Sequence, residues 1–339
     1  MEVGLSAVAL RAGVSPATAS NALSGARHVA EGTRRRVFEV AEELNYHPNL
    51  VARSLRRQET KTLALLVADI ANPYYPAIAR AVHDRVDLKG YVSFIGNTDG
   101  DPEAELRVLQ QMRSRGVDGV IMGTMALTPE KIRSVLGPVM PLVLLNGESL
   151  ASADNAPRHF RADEVGTDDS IGIGEAVSYL QGKGVRDIGF ISGPVDSLPG
   201  TGRLASFESA MAVAGIALND EWVEHADAYT LDAGFEAAQR LLAGKRRPAA
   251  IMCSNDLIAL GVLEAARDHD LEVPTDLAVI GFDDIPTAKL VTPRLTTIIN
   301  PATLVGYACA DALMRRMEHP DLPFEHVALP THLVVRASA

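Results

Sequence analysis

Residues 13–25 read GVSPATASNALSG, an uncharged stretch of mostly small residues. Its signals are helical. Gly13 can take the left-handed conformation that closes a helix over about 7–12. Ser15 is a favourable N-cap, and Pro16 falls at the first helical position, where its missing N–H costs nothing. Gly25 closes this second helix after Ser24. A third helix is predicted before Pro48, with Val37, Val40, Ala41 and Leu44 on one face. Ala30 is a poor cap for it, and Thr33 offers an alternative start one turn later. Residues 49–58, NLVARSLRRQ, form at most a short helix that is marginal alone.

Two short helices joined at a glycine fit a helix-turn-helix, whose second helix enters the major groove with its N-terminal side chains on base edges. Small residues suit that position. Ala17 and the Thr18 methyl can touch a thymine methyl. Ser15, Thr18 and Ser20 can bond phosphate or base, and Asn21 can pair with adenine through two hydrogen bonds. A plain helical hairpin packed on a larger body fits the same pattern. The arginines at 34–36, 53, 56 and 57 favour nucleic acid. So does the charge distribution. The chain carries −11 overall, yet residues 1–61 hold nine basic and six acidic side chains. A basic head on an acidic body suggests a head that binds a polyanion.

The 339 residues suggest two or three domains. No apolar run approaches the roughly 20 residues of a membrane span. There is no secretory leader pattern, and Cys253 and Cys309 sit singly in apolar segments, so a cytoplasmic protein with two buried thiols is expected. From Thr62 the pattern changes to short apolar runs alternating with amphipathic stretches. Strands are predicted at 63–69, 91–97, 119–125, 141–146, 188–193, 249–254 and 277–284. Helices are predicted between them, including 170–182, 201–214, 231–242 and 256–268. This reads as an α/β core of two doubly wound parallel-sheet lobes. Ligands in such sheets sit beyond the C-terminal strand ends, here Asp69, Asn97, Asn146, Gly193, Asn255 and Asp283.

Enzyme motifs are missing. Gly172-Ile173-Gly174 begins a dinucleotide fingerprint, but Val177 replaces the third glycine and no apolar strand precedes it. Gly182-Lys183 and Gly244-Lys245 lack the upstream glycine of a phosphate loop. There is no GxSxG or HExxH, and the nine histidines show no metal spacing. No catalytic residue, metal or cofactor is expected.

The segment VALRAGVSPATASNALSG…TRRRVFEVAEELNYHPNLVARSL (8–55) resembles the head and hinge of the lactose/galactose repressor family of bacterial transcriptional regulators. VADIANPYYPAIARAV (67–82), GVDGVIMG (116–123), GPVDSLPGTGRLASF (193–207), SNDLIALGVLEA (254–265), VIGFDDIP (279–286) and LTTIIN (295–300) resemble its core in order. That core is similar to periplasmic sugar-binding proteins. The resemblance implies a helix-turn-helix head over 1–47, a hinge over 48–60 with a hinge helix, and an effector-binding and dimerisation core over 61–339. The N-lobe is then expected at 61–158 plus 291–318 and the C-lobe at 159–290 plus 319–339.

It also implies site residues. Pro16, Ala17 and Asn21 would read bases. Many members have Arg where this chain has Asn21, and Arg prefers guanine. Asn49, Ala52 and Leu55 would contact DNA, with Leu55 as a minor-groove wedge and Val51 and Ala52 against the partner hinge. Asn72, Tyr74, Tyr75, Asn146, Ser197, Arg203, Asn255, Asp283 and Asn300 would line the effector cleft. Sugar-binding members often have Asp-Arg at Asn146-Gly147, so an unusual sugar, a sugar derivative or a nucleoside is implied. The partners implied are a pseudo-palindromic double-stranded operator, that effector and a second copy of the chain. The effector could release or promote DNA binding. A transport-type sugar-binding protein is the alternative from another class; it would not need residues 1–58.

Overall fold

The computed structural model describes residues 4–25, 27–46, 59–125, 127–145, 162–244 and 246–339. Asn49, Val51, Ala52 and Leu55, expected in a hinge, and Asn146, expected in a cleft, lie outside that set. The chain forms two units, Met1–Thr60 and Lys61–Ala339.

In the first unit, α1 (Leu5–Ala12), α2 (Pro16–Ser24) and α3 (Glu31–Glu43) follow the capping signals. Gly13 and Gly25 are both left-handed at φ 67°. The Ser15 hydroxyl accepts from the Thr18 N–H at 3.1 Å. Helix α3 starts directly after Ala30 with no side-chain cap, so Thr33 lies within its first turn. Val8, Ala9, Ala12, Ala19, Ala22, Val37, Val40 and Ala41 form the small core. Ala19 and Ala22 show that the small residues of 13–25 serve packing as well as exposure: alanines at the contact let three short helices approach closely.

The second unit holds two six-stranded sheets. The first comprises β1 (Thr62–Val67), β2 (Val92–Asn97), β3 (Gly119–Gly123), β4 (Leu142–Leu145), β5 (Asp163–Asp168) and β11 (His326–Pro330), in the order β11-β5-β4-β3-β1-β2, all parallel. Against it lie α4 (Tyr74–Asp87), α5 (Pro102–Ser114), α6 (Pro129–Leu136) and α11 (Ala302–Glu318). The second comprises β6 (Ile188–Ser192), β7 (Val223–His225), β8 (Ala250–Cys253), β9 (Ala278–Asp283), β10 (Thr296–Ile299) and β12 (His332–Val334), in the order β12-β10-β9-β8-β6-β7. Its one antiparallel pair is β10 with β12. Helices α7 (Asp169–Gly182), α8 (Leu198–Val213), α9 (Leu231–Leu242) and α10 (Asp256–Asp268) cover it.

The lobe boundaries differ from the expected ones. Strands β5 and β11 belong to the first sheet and β10 to the second, so the chain crosses between lobes at 168–169, 299–302 and 330–332. DEVGTD and HVALP carry no continuous apolar run to mark them as strands. Their pairing is decided by the neighbouring strand, not by their own pattern. Thr331 is buried at the third crossing, accepting from the Gly172 N–H at 3.0 Å and donating to the Asp168 carbonyl at 2.8 Å.

The α9–α10 pair shows what fixes the second lobe's packing. A Cβ at Gly261 would fall 2.3 Å from the Leu231 carbonyl oxygen, and one at Gly234 would fall 2.5 Å from that of Ile258. The helices therefore touch backbone to backbone. Gly261→Ala is expected to lower the unfolding free energy by about 2 kcal/mol or more. Gly174→Ala, in open space on α7, should raise it by roughly 0.5–1 kcal/mol. Urea unfolding of both variants checks this, and a Gly261→Ala midpoint equal to wild type would reject the close approach.

Candidate functional site

Two surfaces present functional chemistry, one in each unit. In the head, Ser15, Pro16 and Ala17 are exposed, and Thr18, Ser20 and Asn21 are half-buried. Ala17, Ser20 and Asn21 stand at i, i+3 and i+4, hence on one face. The Ser15 and Thr18 hydroxyls are 2.9 Å apart and committed to the cap. Their first duty is therefore to fix the start of α2. Beside α2 lies a hollow of about 560 Å³ lined by Asn21, Arg27, His28, Arg34 and Arg35 among others. The Arg34 guanidinium lies 5.7 Å from the Phe38 ring. A capped helix with short polar side chains beside a guanidinium-lined hollow suits a polyanion.

The second surface is the cleft between the two sheets, at the C-terminal ends of their strands. Asp283 ends β9 with φ 108°, a backbone geometry that side-chain-bearing residues rarely adopt. It is buried, and burial first of all pushes its carboxyl up to about 6, against the pull of Arg203 and the Asn300 hydrogen bond. Asn300 donates to Asp283 at 3.0 Å and accepts from the Tyr74 hydroxyl at 3.0 Å. One amide thus joins the second crossing to helix α4 of the first lobe.

Arg203 projects from α8. Its Nε donates to Asp169 at 2.8 Å and its Nη1 to the Ser254 carbonyl at 2.7 Å. Its guanidinium lies 3.8 Å from the Phe282 ring centre, and Nη2 is 3.9 Å from the Asp283 carboxylate. Burial alone would lower its pKa, but the Asp169 and Asp283 carboxylates raise it, so it stays charged. A planar cation held by a carboxylate, a carbonyl and a ring is fixed in orientation.

Asn72, Tyr74, Tyr75, Arg203 and Asp283 surround a cavity of about 40 Å³. This is little more than the roughly 30 Å³ share of one water molecule. An adjoining cavity of about 470 Å³ is lined by Ser197, Asp69, Asp99, Met125, Asp227 and Tyr229 among others. It lies in the usual range for small-molecule sites, about 300–1,000 Å³. The two share Ala68, Asp69, Met125 and Tyr229. The polar cluster therefore forms the closed end of a wider chamber.

Several expected residues have local duties. The Asn72 side chain accepts from the Tyr74 N–H at 3.1 Å, a turn at the start of α4. Ser197 caps α8 and its hydroxyl lies 2.8 Å from that of Tyr229. Asn255 borders neither cavity; its Oδ1 caps α10 through the Ile258 N–H at 2.8 Å. Its Nδ2 is buried with no hydrogen bond among the described residues. Sequence reading missed Tyr229, Met125 and Asp169 as site residues. Tyr229 follows β7, only three residues long and unpredicted, although Thr230 behind it is a recognisable N-cap. Asp169 stands in sequence as a first-turn acid, and its partner Arg203 lies 34 residues away.

Asp283 yields a pH prediction. Its folded pKa of about 6 exceeds the ordinary 3.8, so the folded chain holds a proton that the unfolded chain has released. Its stabilising contribution is therefore full below about pH 4 and is lost as pH rises through about 6. Wild type should lose stability relative to Asp283→Asn between those values. Urea midpoints of the two proteins across pH 4.5–7.5 measure this, and parallel curves would contradict it.

Known proteins supply the last comparison. Residues 5–49 match the model described as bacterial regulatory proteins, lacI family, and residues 177–339 match a periplasmic binding protein-like domain. The chain is 34% identical to the ribose operon repressor of Escherichia coli, covering 98% of both chains. It is 33% identical to the HTH-type transcriptional repressor PurR of Klebsiella pneumoniae, covering 98% of this chain and 95% of that one. It shares the fold of the lac repressor dimer bound to operator and an anti-inducer, with a TM-score of 0.87 at 24% identity over 100% of this chain and 99% of that chain. With a helix-turn-helix head, a two-lobed core and relatives of this identity along nearly its whole length, the protein belongs to the lacI family of bacterial regulatory proteins.

Proposed function

We propose that the protein is a ligand-responsive, sequence-specific transcriptional regulator of the bacterial cytoplasm, a repressor controlled by a sugar, a sugar derivative or a nucleoside. The observation that carries this reading is the capped helix α2, presenting Ala17, Ser20 and Asn21 beside the arginine-lined hollow. Asn21 reads adenine through its amide, and Ala17 meets a thymine methyl. The arginines provide sequence-independent attraction to phosphates, which weakens with salt. The role is one of binding, with no catalytic residue assigned.

The protein acts as a homodimer on a pseudo-palindromic operator, since two-fold symmetry in the protein is mirrored in the DNA. The edge strand β2 supports self-association. It exposes Val92, Phe94 and Ile95, with Leu88 exposed at the preceding helix end, where a monomer would normally place charge. The effector occupies the chamber between the lobes. Its hydroxyls or ring nitrogens meet Arg203 and Asp283, which Asn300 braces without lining either cavity, and its body fills the wider part by Tyr229. The ribose operon repressor among the relatives supports a sugar. Binding there acts on crossing segments next to Asp169 and Asn300, so effector and operator affinities are reciprocally coupled.

Two outcomes follow. Asn21→Ala should weaken operator binding by about 10- to 100-fold, and Asn21→Arg should move the selected base at one position of each half-site from adenine to guanine. Selection from randomised DNA reads this, and an unchanged site would reject the base-reading role. In a thermal-shift screen of sugars, sugar acids and nucleosides, a compound at 100 times its Kd should stabilise the protein by about 2.7 kcal/mol. Asp283→Ala should abolish that shift while leaving effector-free operator binding within about twofold of wild type. A retained shift would remove Asp283 from the site.

A further inference from the structure

Glu105 is a buried carboxylate with no place in the cluster described above. It lies in the first turn of α5 and is fully buried. Its side chain accepts from the Thr124 hydroxyl and from the Met125 N–H, each at 2.7 Å. Thr124 in turn accepts from the Leu127 N–H at 2.9 Å. The carboxylate therefore pins the segment that follows β3. Burial raises the Glu105 pKa, while these donors oppose that rise.

The pinned segment reaches across the cleft. Met125 lines both cavities. Its carbonyl accepts from the Leu198 N–H at 3.3 Å, and Leu198 is the first residue of α8 in the other lobe. A first-turn N–H lies outside its helix's own i to i−4 ladder, which is why Leu198 can donate to Met125. The same helix end holds the Ser197 cap, bonded to Tyr229, and about one and a half turns on it carries Arg203. The side chain of Tyr229 packs against the cores of both lobes.

We propose that Glu105 is a positioning residue for the effector cleft: through Met125 it sets the contact with Leu198 that seats the N-terminus of α8, and with it the Ser197–Tyr229 wall, against the first lobe. This rests on reading the cleft as the effector site. Glu105 touches no ligand. It decides where the Met125 carbonyl stands, and a carbonyl on a loop without that anchor would not hold one position against a partner in another lobe. Closure then involves a rigid element in each lobe and the Leu198–Met125 bond that joins them. Such a contact, made or broken as a unit, lets small shifts in the chamber alter the relation of the lobes.

The test is amide hydrogen exchange on the full chain, with neither DNA nor effector added, in wild type, Glu105→Ala, Glu105→Gln and Thr124→Val. Glutamine keeps an oxygen for the Met125 N–H and can donate to Thr124, so it serves as the rescue. In Glu105→Ala the protection of both Met125 and Leu198 should fall by about tenfold or more, as expected for losing a charge-assisted hydrogen bond. Ile251 and Val279, deep in the second sheet, should be unchanged. Glu105→Gln should keep Met125 and Leu198 within about threefold of wild type. If Leu198 keeps its protection while Met125 loses it, nothing is transmitted across the cleft and the proposal fails. An even loss through both lobes would also overturn it, leaving Glu105 as an internal brace. Should Glu105→Ala not fold, Thr124→Val decides: reduced protection at Leu198 supports the proposal, and wild-type protection there rejects it. Operator binding by the same samples is read separately. Its absence in wild type would reject the regulator reading without affecting the exchange result.

Discussion

Arg203 is 7% exposed and remains charged, and the cleft is organised by what that requires. A guanidinium removed from water is costly unless its donors are met. Asp169, the Ser254 carbonyl and the Phe282 face meet them, and Asp283 stands 3.9 Å away. The partners come from three segments. Asp169 follows the first crossing between lobes, Ser254 follows β8, and Phe282 and Asp283 end β9. Asp283 then holds Asn300 at the second crossing, and Asn300 holds Tyr74 of the first lobe. One buried cation thus ties the polar cluster of the cleft to two of the three segments that cross between the lobes.

The arrangement also explains why ligand chemistry and lobe geometry are hard to separate here. A ligand group that engages Asp283 must compete with Arg203 and Asn300 for the same carboxylate. Any shift in that balance reaches a crossing segment within one hydrogen bond. The strained backbone of Asp283 is consistent with a site held in place by its surroundings, because such conformations persist only where neighbouring structure enforces them. Asp256 provides part of that enforcement. It is fully buried and accepts from the Ile285 N–H at 2.8 Å and from the Thr297 hydroxyl, bracing the turn after Asp283 against β10.

The head depends on a different economy of size. Among the described residues its eight buried core side chains are all alanine or valine, and helix α2 contributes Ala19 and Ala22. The residues between them, Ser20 and Asn21, turn outward. The small side chains that look suited to a groove are therefore divided between two tasks. Packing takes one face of α2 and leaves the other to solvent.

Much of this was legible in the chain. Ser15, Pro16, Gly13 and Gly25 determine the head's helix limits, because caps and left-handed glycines act locally. Apolar runs such as LALLV and AVIGF determine the buried strands, because a strand covered on both faces must be apolar throughout. The ordered motifs from 67 to 300 mark the residues that gather at the cleft. Tertiary structure alone decided the rest. Strand β5, largely polar yet interior, and the short edge strand β11 take their sheet from a neighbour and not from their own pattern. Tyr229, Met125 and Asp169 join the site because folding brings segments as distant as Ala68 and Asp283 to one place. Glu105 reads in sequence as an ordinary first-turn acid, and only its burial against Thr124 and Met125 distinguishes it. Local signals follow from short-range sterics and hydrogen bonding, which the sequence carries; which polar groups share a buried charge depends on distances that exist only once both lobes are packed.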